Sequence, residues 1–156
     1  MKRKWSTLLV CLAVPLATGG LAALLTRDAM ERFSSLNQPP LSPPAWLFPV
    51  VWTILYLLMG IASYLVFREP RSERPREALW LYGAQLVFNF LWSIVFFNLG
   101  WYLFAFLWLV CLWALILLTI GSFRRVSRTA ARLLLPYLLW VTFAGYLNLG
   151  VWILNA

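Results

Sequence analysis

The sequence of 156 residues contains no histidine, and charged residues make up only 12% of it. The five acidic residues, Asp28, Glu31, Glu69, Glu73 and Glu77, all lie outside the long apolar stretches. Without histidine, the serine and threonine hydroxyls lack the usual general base that would activate them as nucleophiles. Without carboxylates in the apolar stretches, there is no proton relay or coupling-ion site. Hydrolysis and ion-coupled transport are therefore disfavoured as functions.

Cysteine is scarce as well. Cys11 and Cys111 lie in two different apolar stretches, and the sequence has no CxxC motif. Together with the lack of histidine, this excludes a zinc site of the usual ligand set and a histidine-ligated haem. We expect both cysteines to be small, polarisable packing residues. The sequence predicts no required cofactor.

Apolar residues, by contrast, account for 63% of the chain and aromatic residues for 17%. A helix that crosses a bilayer needs about 20 consecutive apolar residues. Five such stretches lie at about 5–26, 46–67, 79–98, 101–120 and 133–154. The sequence therefore predicts an all-α integral membrane protein, in which residues 1–156 form a single bundle of five transmembrane helices. The first stretch also has features of a cleaved signal peptide, but its apolar part is long, and we expect it to be retained.

The basic residues predict an orientation in the membrane. Eleven of the thirteen lie in the segments before the first stretch, between the second and third, and between the fourth and fifth. Only Arg27 and Arg32 lie on the other side. By the positive-inside rule, we expect the N-terminus to be cytoplasmic and the C-terminus outside. The net charge of +8 is explained by these boundaries and by anionic lipid, so we expect no nucleic-acid partner.

The segment at 27–45 between the first two stretches is rich in proline, with Pro39, Pro40, Pro43 and Pro44. Proline fixes φ and removes a backbone donor, so the run LNQPPLSPP is predicted to be stiff and non-helical. Ser42 followed by Pro43 fits an N-cap and a first helical residue, so the second helix is expected to begin there. Two interpretations remain for the segment, a lid over a binding site or a passive connector.

Polar and aromatic residues recur at helical spacing inside three of the stretches. The third carries Gln85, Asn89 and Ser93 beside Trp92, the second carries Trp52 and Tyr56, and the fifth carries Pro136, Trp140, Ala144 and Asn148. Lipid offers polar groups no partner, so such faces are expected to point into the bundle. Facing one another, they would line a cavity with flat walls that suits a planar, largely apolar ligand.

Three runs, PPLSPPAWLFPVVWTILYLLMG, AQLVFNFLWSIVFFN and LLLPYLLWVTFAGYLN, resemble the TspO/MBR family, also known as translocator proteins, tryptophan-rich sensory proteins and peripheral-type benzodiazepine receptors. The resemblance covers nearly the whole chain. It implies a five-helix bundle, usually a homodimer, whose ligand cavity is closed by the first loop. It also implies tetrapyrrole ligands such as protoporphyrin or haem. The residues that it assigns to ligand binding are Phe33, Pro43, Pro44, Trp52, Tyr56, Asn89, Trp92, Trp140 and Ala144.

Two departures from the family pattern qualify these expectations. Arg32-Phe33 stands where members often carry Trp-Tyr, so a lid contact through a tyrosine hydroxyl is not expected. No lysine or arginine follows Tyr146, so we do not expect the cholesterol recognition of the vertebrate members.

Three functions remain open at this point. The first is a receptor or carrier for porphyrin-like ligands with a sensory or transport role, and the second is a light-dependent degradation of porphyrin through Trp52 and Trp140. The third is a structural membrane protein without a ligand. For the location we expect a bacterial cytoplasmic membrane, with a mitochondrial outer membrane as the alternative.

Overall fold

The computed structural model describes residues 1–70 and 75–156. Arg71 and Arg74, which contribute to the predicted basic loop, and Glu73 lie outside the described residues. In the described ranges every regular element is a helix, in this order: α1 (Lys2–Thr26), α2 (Ala29–Ser34), α3 (Leu47–Phe67), α4 (Pro75–Ser93), a π-helical continuation of α4 (Ile94–Leu99), α5 (Tyr102–Val126), α6 (Arg128–Leu133) and α7 (Leu135–Asn155).

Five of these helical segments are long and apolar enough to cross a membrane: Lys2–Thr26, Leu47–Phe67, Pro75–Leu99, Tyr102–Val126 and Arg128–Asn155. The prediction of an all-α bundle with five transmembrane helices is confirmed. Several helices continue beyond the apolar stretches at the basic end, because arginine and lysine side chains can extend to the headgroup region while their backbone stays helical. The structure therefore begins the third span at Pro75 and ends the fourth at Val126.

Close contact between α1 and α3 depends on Gly60. A Cβ atom built at this position would lie 2.8 Å from the carbonyl oxygen of Cys11 and 2.9 Å from Cα of Leu12. The two backbones can approach each other so closely because glycine has no side chain, as is common between membrane helices. Neighbouring α4 and α5 pack through stacked rings of Phe88 and Trp108, whose centroids are 4.3 Å apart.

The segment between α1 and α3 extends further along the chain than expected, because the helix that follows it starts later. The helix begins at Leu47 rather than at Pro43. Pro44 restricts the residue before it to extended conformations, so Pro43 cannot take a helical conformation easily. The Ser42 hydroxyl donates a hydrogen bond of 2.7 Å to the Pro39 carbonyl and thus closes a turn in the loop instead of capping a helix.

Candidate ligand-binding site

A cavity of about 460 Å³ lies between α1, α3, α4 and α7, and the segment that joins α1 to α3 lines it as well. Its volume falls within the range of pockets that hold drug-sized molecules. We call this space the main cavity, and we call residues 27–46, which include α2, the lid.

Aromatic side chains form the walls of the main cavity. Trp52 stacks on Tyr56 at 5.6 Å between ring centroids, and the ring of Trp140 meets Trp52 edge-on at 6.4 Å. On the α4 side, Trp92 stacks on Phe96 at 5.3 Å. Such walls present broad, flat surfaces, which fit a planar apolar ligand better than a flexible polar one.

Most hydroxyl groups on the wall already donate their protons to backbone carbonyls. Thr26 donates to Ala22, Thr53 donates to Pro49, and Ser42 donates to Pro39 within the lid. These hydroxyls offer a ligand only acceptor lone pairs.

The other side chains on the wall that carry donors include those of Gln38, Arg27 and Trp140. The indole N–H of Trp140 is buried and has no hydrogen-bond partner among the described residues. Arg27 is the charged residue among the described residues that line the main cavity, and it lies where α1 joins the lid. The cavity therefore combines apolar walls with the Trp140 indole, the Gln38 amide and one positive charge.

Behind the wall, a chain of hydrogen bonds connects α3, α4 and α7. Tyr56 donates to the Asn89 side-chain oxygen at 3.0 Å, the Asn89 amide donates to the Tyr137 hydroxyl at 2.7 Å, and Tyr137 donates to the Gln85 side-chain oxygen at 2.6 Å. Gln85, Asn89 and Tyr137 are each only 1% exposed. We call these four residues the polar network. Because Tyr56 belongs both to the network and to the cavity wall, the network fixes the position of that wall.

A second set of hydrogen bonds supports the α4 side. The Trp92 indole donates to the Asn148 side-chain oxygen at 3.1 Å, and the Asn148 amide donates to the Tyr102 carbonyl at 2.8 Å. The Trp92 indole N–H is thus engaged by the Asn148 oxygen, and Trp92 offers a ligand its ring face rather than its N–H.

The lid is held to the bundle by hydrogen bonds to the π-helical continuation of α4 and to α7. Arg32 donates to the carbonyls of Phe97 and Asn98 at 3.1 Å each, which are among the free carbonyls at the end of a helix. The Tyr146 hydroxyl donates to the Pro40 carbonyl at 2.7 Å.

At the C-terminal end of α7, Asn37 and Asn155 exchange two hydrogen bonds of 3.0 and 2.8 Å. Nearby, Pro39 lies directly against Gly150, where an added Cβ atom would be 2.6 Å from the proline ring. The lid is therefore closed over the main cavity by contacts with α4 and α7.

The structure brings six of the residues assigned from the family resemblance onto the cavity wall: Phe33, Trp52, Tyr56, Trp92, Trp140 and Ala144. Asn89 instead lies in the polar network behind Tyr56. Pro43 and Pro44 are not among the residues that line the main cavity, and the lid contributes residues on either side of them instead. Its lining residues include Gln38, Pro39, Ser42 and Ala45, because the turn closed by Ser42 directs Pro39 towards α7.

Sequence reasoning missed the contribution of α1, which includes Gly19, Ala22 and Ala23, and that of Arg27 at the start of the lid. In the sequence, the small residues of this helix indicate only a helix-packing surface. Gly19 has a further role, because a side chain there would collide with the ring of Tyr56. On α7 the missed residues Leu147 and Val151 continue the helical spacing of Trp140 and Ala144, so that periodicity could have found them.

Comparison with known proteins identifies the family of this chain. The pattern of the TspO/MBR family matches residues 11–153. This chain belongs to the TspO/MBR family. It is 38% identical to the tryptophan-rich protein TspO of Chlorobaculum tepidum over 99% of both chains. It is also 37% identical to the tryptophan-rich sensory protein of Cereibacter sphaeroides, over 99% of this chain and 95% of the relative.

A vertebrate relative is similarly close. The translocator protein of Bos taurus is 36% identical over 89% of this chain and 84% of its own length. The resemblance drawn from the three sequence runs is therefore confirmed. With five apolar helices and these relatives, the chain is an integral membrane protein of the TspO/MBR family.

Proposed function

We propose that this chain binds a porphyrin-like tetrapyrrole in the main cavity and acts as a receptor or carrier for it, in sensing or in transport. The observation that carries the proposal is the cavity itself, with Trp52, Trp92 and Trp140 on its walls and an unpaired indole N–H at Trp140. A tetrapyrrole is flat, largely apolar and bears anionic propionate groups. These features match the flat walls and the positive charge of Arg27.

The first test is a titration of the purified protein in detergent with protoporphyrin, followed by quenching of tryptophan fluorescence. We expect saturable quenching and about three- to tenfold weaker binding in Trp140→Phe, because the variant loses the indole donor and part of the wall. Trp113→Phe is the matched control, since Trp113 lies on α5 and donates to Thr142 at 2.9 Å, outside the main cavity. Linear quenching that is identical in all three proteins would mean partitioning into detergent and would favour a structural protein without a ligand.

The role of Arg27 has a separate test. Arg27→Gln is expected to weaken binding of protoporphyrin several-fold but to leave binding of its dimethyl ester nearly unchanged, because the ester lacks the negative charges. An equal loss for both ligands would mean that Arg27 acts only on the shape of the lid.

A second candidate function is a light-driven degradation of the bound porphyrin. The edge-on contact of Trp52 and Trp140 favours it, because two indoles that are in contact with each other would both face the bound ring system. Illumination of the complex would then consume porphyrin faster than illumination of free porphyrin, and Trp52→Phe and Trp140→Phe would each slow the reaction. Equal bleaching rates for bound and free porphyrin would rule this function out.

Orientation and assembly belong to the same proposal. The excess of basic residues at one end supports a cytoplasmic N-terminus and an external C-terminus, in a bacterial cytoplasmic membrane. A C-terminal alkaline phosphatase fusion should then be active in bacteria, and a C-terminal fluorescent protein fusion should be dark. The family resemblance supports a homodimer, which crosslinking in membranes would test.

A further inference from the structure

A second recess of about 390 Å³ opens on the outside of the bundle between the first half of α1, the end of α3 and the first half of α4. Among its lining residues are Thr7, Cys11, Val14, Ser63, Leu79 and Tyr82, and none of them lines the main cavity. Val14 at 47% exposure and Phe67 at 58% exposure flank it on the lipid-facing surface. We call this space the lateral crevice. It is separate from the proposed tetrapyrrole site and does not depend on it.

The lateral crevice contains a polar atom that the protein leaves unsatisfied. Tyr82 is only 6% exposed, and its ring packs against Phe123 at 5.8 Å. Its hydroxyl is buried and has no hydrogen-bond partner among the described residues. An unpaired buried hydroxyl is costly in a membrane protein, since lipid tails cannot replace the missing partner.

The other hydroxyls on the crevice wall are already used as donors. Ser6 and Thr7 both donate to the Arg3 carbonyl, at 3.1 and 2.9 Å, and Ser63 donates to the Gly60 carbonyl at 2.9 Å. Ser63 is also the polar neighbour of the Tyr82 hydroxyl, but no hydrogen bond of standard geometry joins the two, so the Tyr82 proton has no acceptor among the described residues. The remaining wall is apolar, so a fitting ligand has a long apolar body and an acceptor oxygen opposite Tyr82.

Positive charge surrounds the end of the crevice that lies nearest the membrane edge. A recess of about 380 Å³ adjoins it, sharing Phe67 and Leu79, and is lined by Arg76 and the 75%-exposed Trp80. Arg3 lies at the same end of α1, and Glu77 is the acidic residue in the first turn of α4. An exposed tryptophan beside arginine is typical of the interface between headgroups and acyl chains.

The depth of Tyr82 fits the chemistry of a phospholipid. Tyr82 lies seven residues after Pro75, which is about 10 Å along the axis of α4, and helical side chains lean back towards the N-terminus. Because the span begins at Pro75, a hydroxyl at this distance from its end matches the level where acyl chains join their glycerol through ester carbonyls, just below the phosphates.

We propose that the lateral crevice binds one anionic diacyl phospholipid from the leaflet at the basic end of the bundle. One acyl chain occupies the crevice, an ester carbonyl accepts the hydrogen bond of Tyr82, and the phosphate lies near Arg76 and Arg3. The ester carbonyl satisfies the unpaired hydroxyl, and the basic residues select an anionic headgroup.

The test measures binding of phosphatidylglycerol to the full chain in detergent by native mass spectrometry, with wild type, Tyr82→Phe and Arg76→Gln. We expect a one-to-one adduct that binds about three- to tenfold more weakly in Tyr82→Phe, which is the effect of one hydrogen bond. Arg76→Gln should reduce the preference for phosphatidylglycerol over phosphatidylcholine. Tyr64→Phe is the matched control, because Tyr64 lies one turn before Arg68, at the same end of α3, and does not line the crevice.

Binding of an ether-linked phosphatidylglycerol distinguishes the contribution of the ester carbonyl from that of the headgroup. This lipid has no ester carbonyl, so wild type and Tyr82→Phe should bind it equally. Thermal unfolding supplies a readout that a merely structural tyrosine would not give: phosphatidylglycerol should stabilise the wild type more than Tyr82→Phe. The proposal would be overturned if wild type and Tyr82→Phe bound the ester lipid equally, if the ether lipid discriminated between them as strongly as the ester lipid, or if no specific adduct formed.

Discussion

Removal of the Tyr137 hydroxyl is the perturbation that tests the polar network most sharply. Tyr137 accepts from Asn89 and donates to Gln85, at 2.7 and 2.6 Å, and all three residues are almost completely buried. Tyr137→Phe therefore removes two hydrogen bonds and leaves an amide donor of Asn89 and the side-chain oxygen of Gln85 without their partner.

The expected cost follows from two magnitudes. Side-chain hydrogen bonds between membrane helices contribute about 0.6 kcal/mol on average and up to about 1.7 kcal/mol. Two bonds, with the added penalty of unpaired buried groups, give an expected destabilisation of about 1–3 kcal/mol for Tyr137→Phe. Reversible unfolding in mixed micelles with increasing sodium dodecyl sulfate, followed by tryptophan fluorescence, would measure it.

The chain offers a control with the same chemical change. Tyr82 is also a buried tyrosine, but its hydroxyl has no partner among the described residues. In detergent without added phospholipid, Tyr82→Phe should leave the free energy of unfolding unchanged or raise it. In the Tyr137→Phe background, Gln85→Leu should cost less than it does in the wild type, because its partner is already gone. Equal destabilisation by Tyr137→Phe and Tyr82→Phe would refute this account of the network.

Two further predictions concern glycines at close contacts. Gly60→Ala places a Cβ atom 2.8 Å from the Cys11 carbonyl oxygen, so it should separate α1 from α3 and destabilise the protein by about 1–3 kcal/mol in the same unfolding assay. Gly150→Ala should displace Pro39 and loosen the lid, which stopped-flow fluorescence would detect as several-fold faster porphyrin release. Gly83→Ala is the control for both, because nothing lies within 4 Å of its added Cβ atom. Variants that match this control would contradict the close contacts.

The bundle was predictable because the physics of the bilayer leaves a strong signal in the sequence. Uninterrupted apolar stretches and the exclusion of charge from them are enough to count five helices. The ends of the helices were harder to predict from the sequence, since long basic side chains let the helix at Pro75–Leu99 start before the apolar stretch does.

The candidate site was predictable where a polar or aromatic residue interrupts an apolar face at helical spacing, as at Trp52, Tyr56 and Trp140. Spacing alone could not separate the cavity wall from the network behind it. Asn89 and Ser93 share one stripe of α4, yet Asn89 lies in the network and Ser93 lines the main cavity. That difference depends on which neighbouring helix each residue meets, and so on tertiary contacts that periodicity does not contain.

The location of a bound tetrapyrrole tests the central claim most directly. Crystals of the protein grown with zinc protoporphyrin would reveal the metal by anomalous scattering, independently of any fluorescence change. The account predicts a zinc peak inside the main cavity, between the walls formed by Trp52 and Trp140 and beneath the lid. A peak on the outer surface of the bundle, or a cavity without zinc in crystals of protein that binds the ligand saturably in solution, would contradict it.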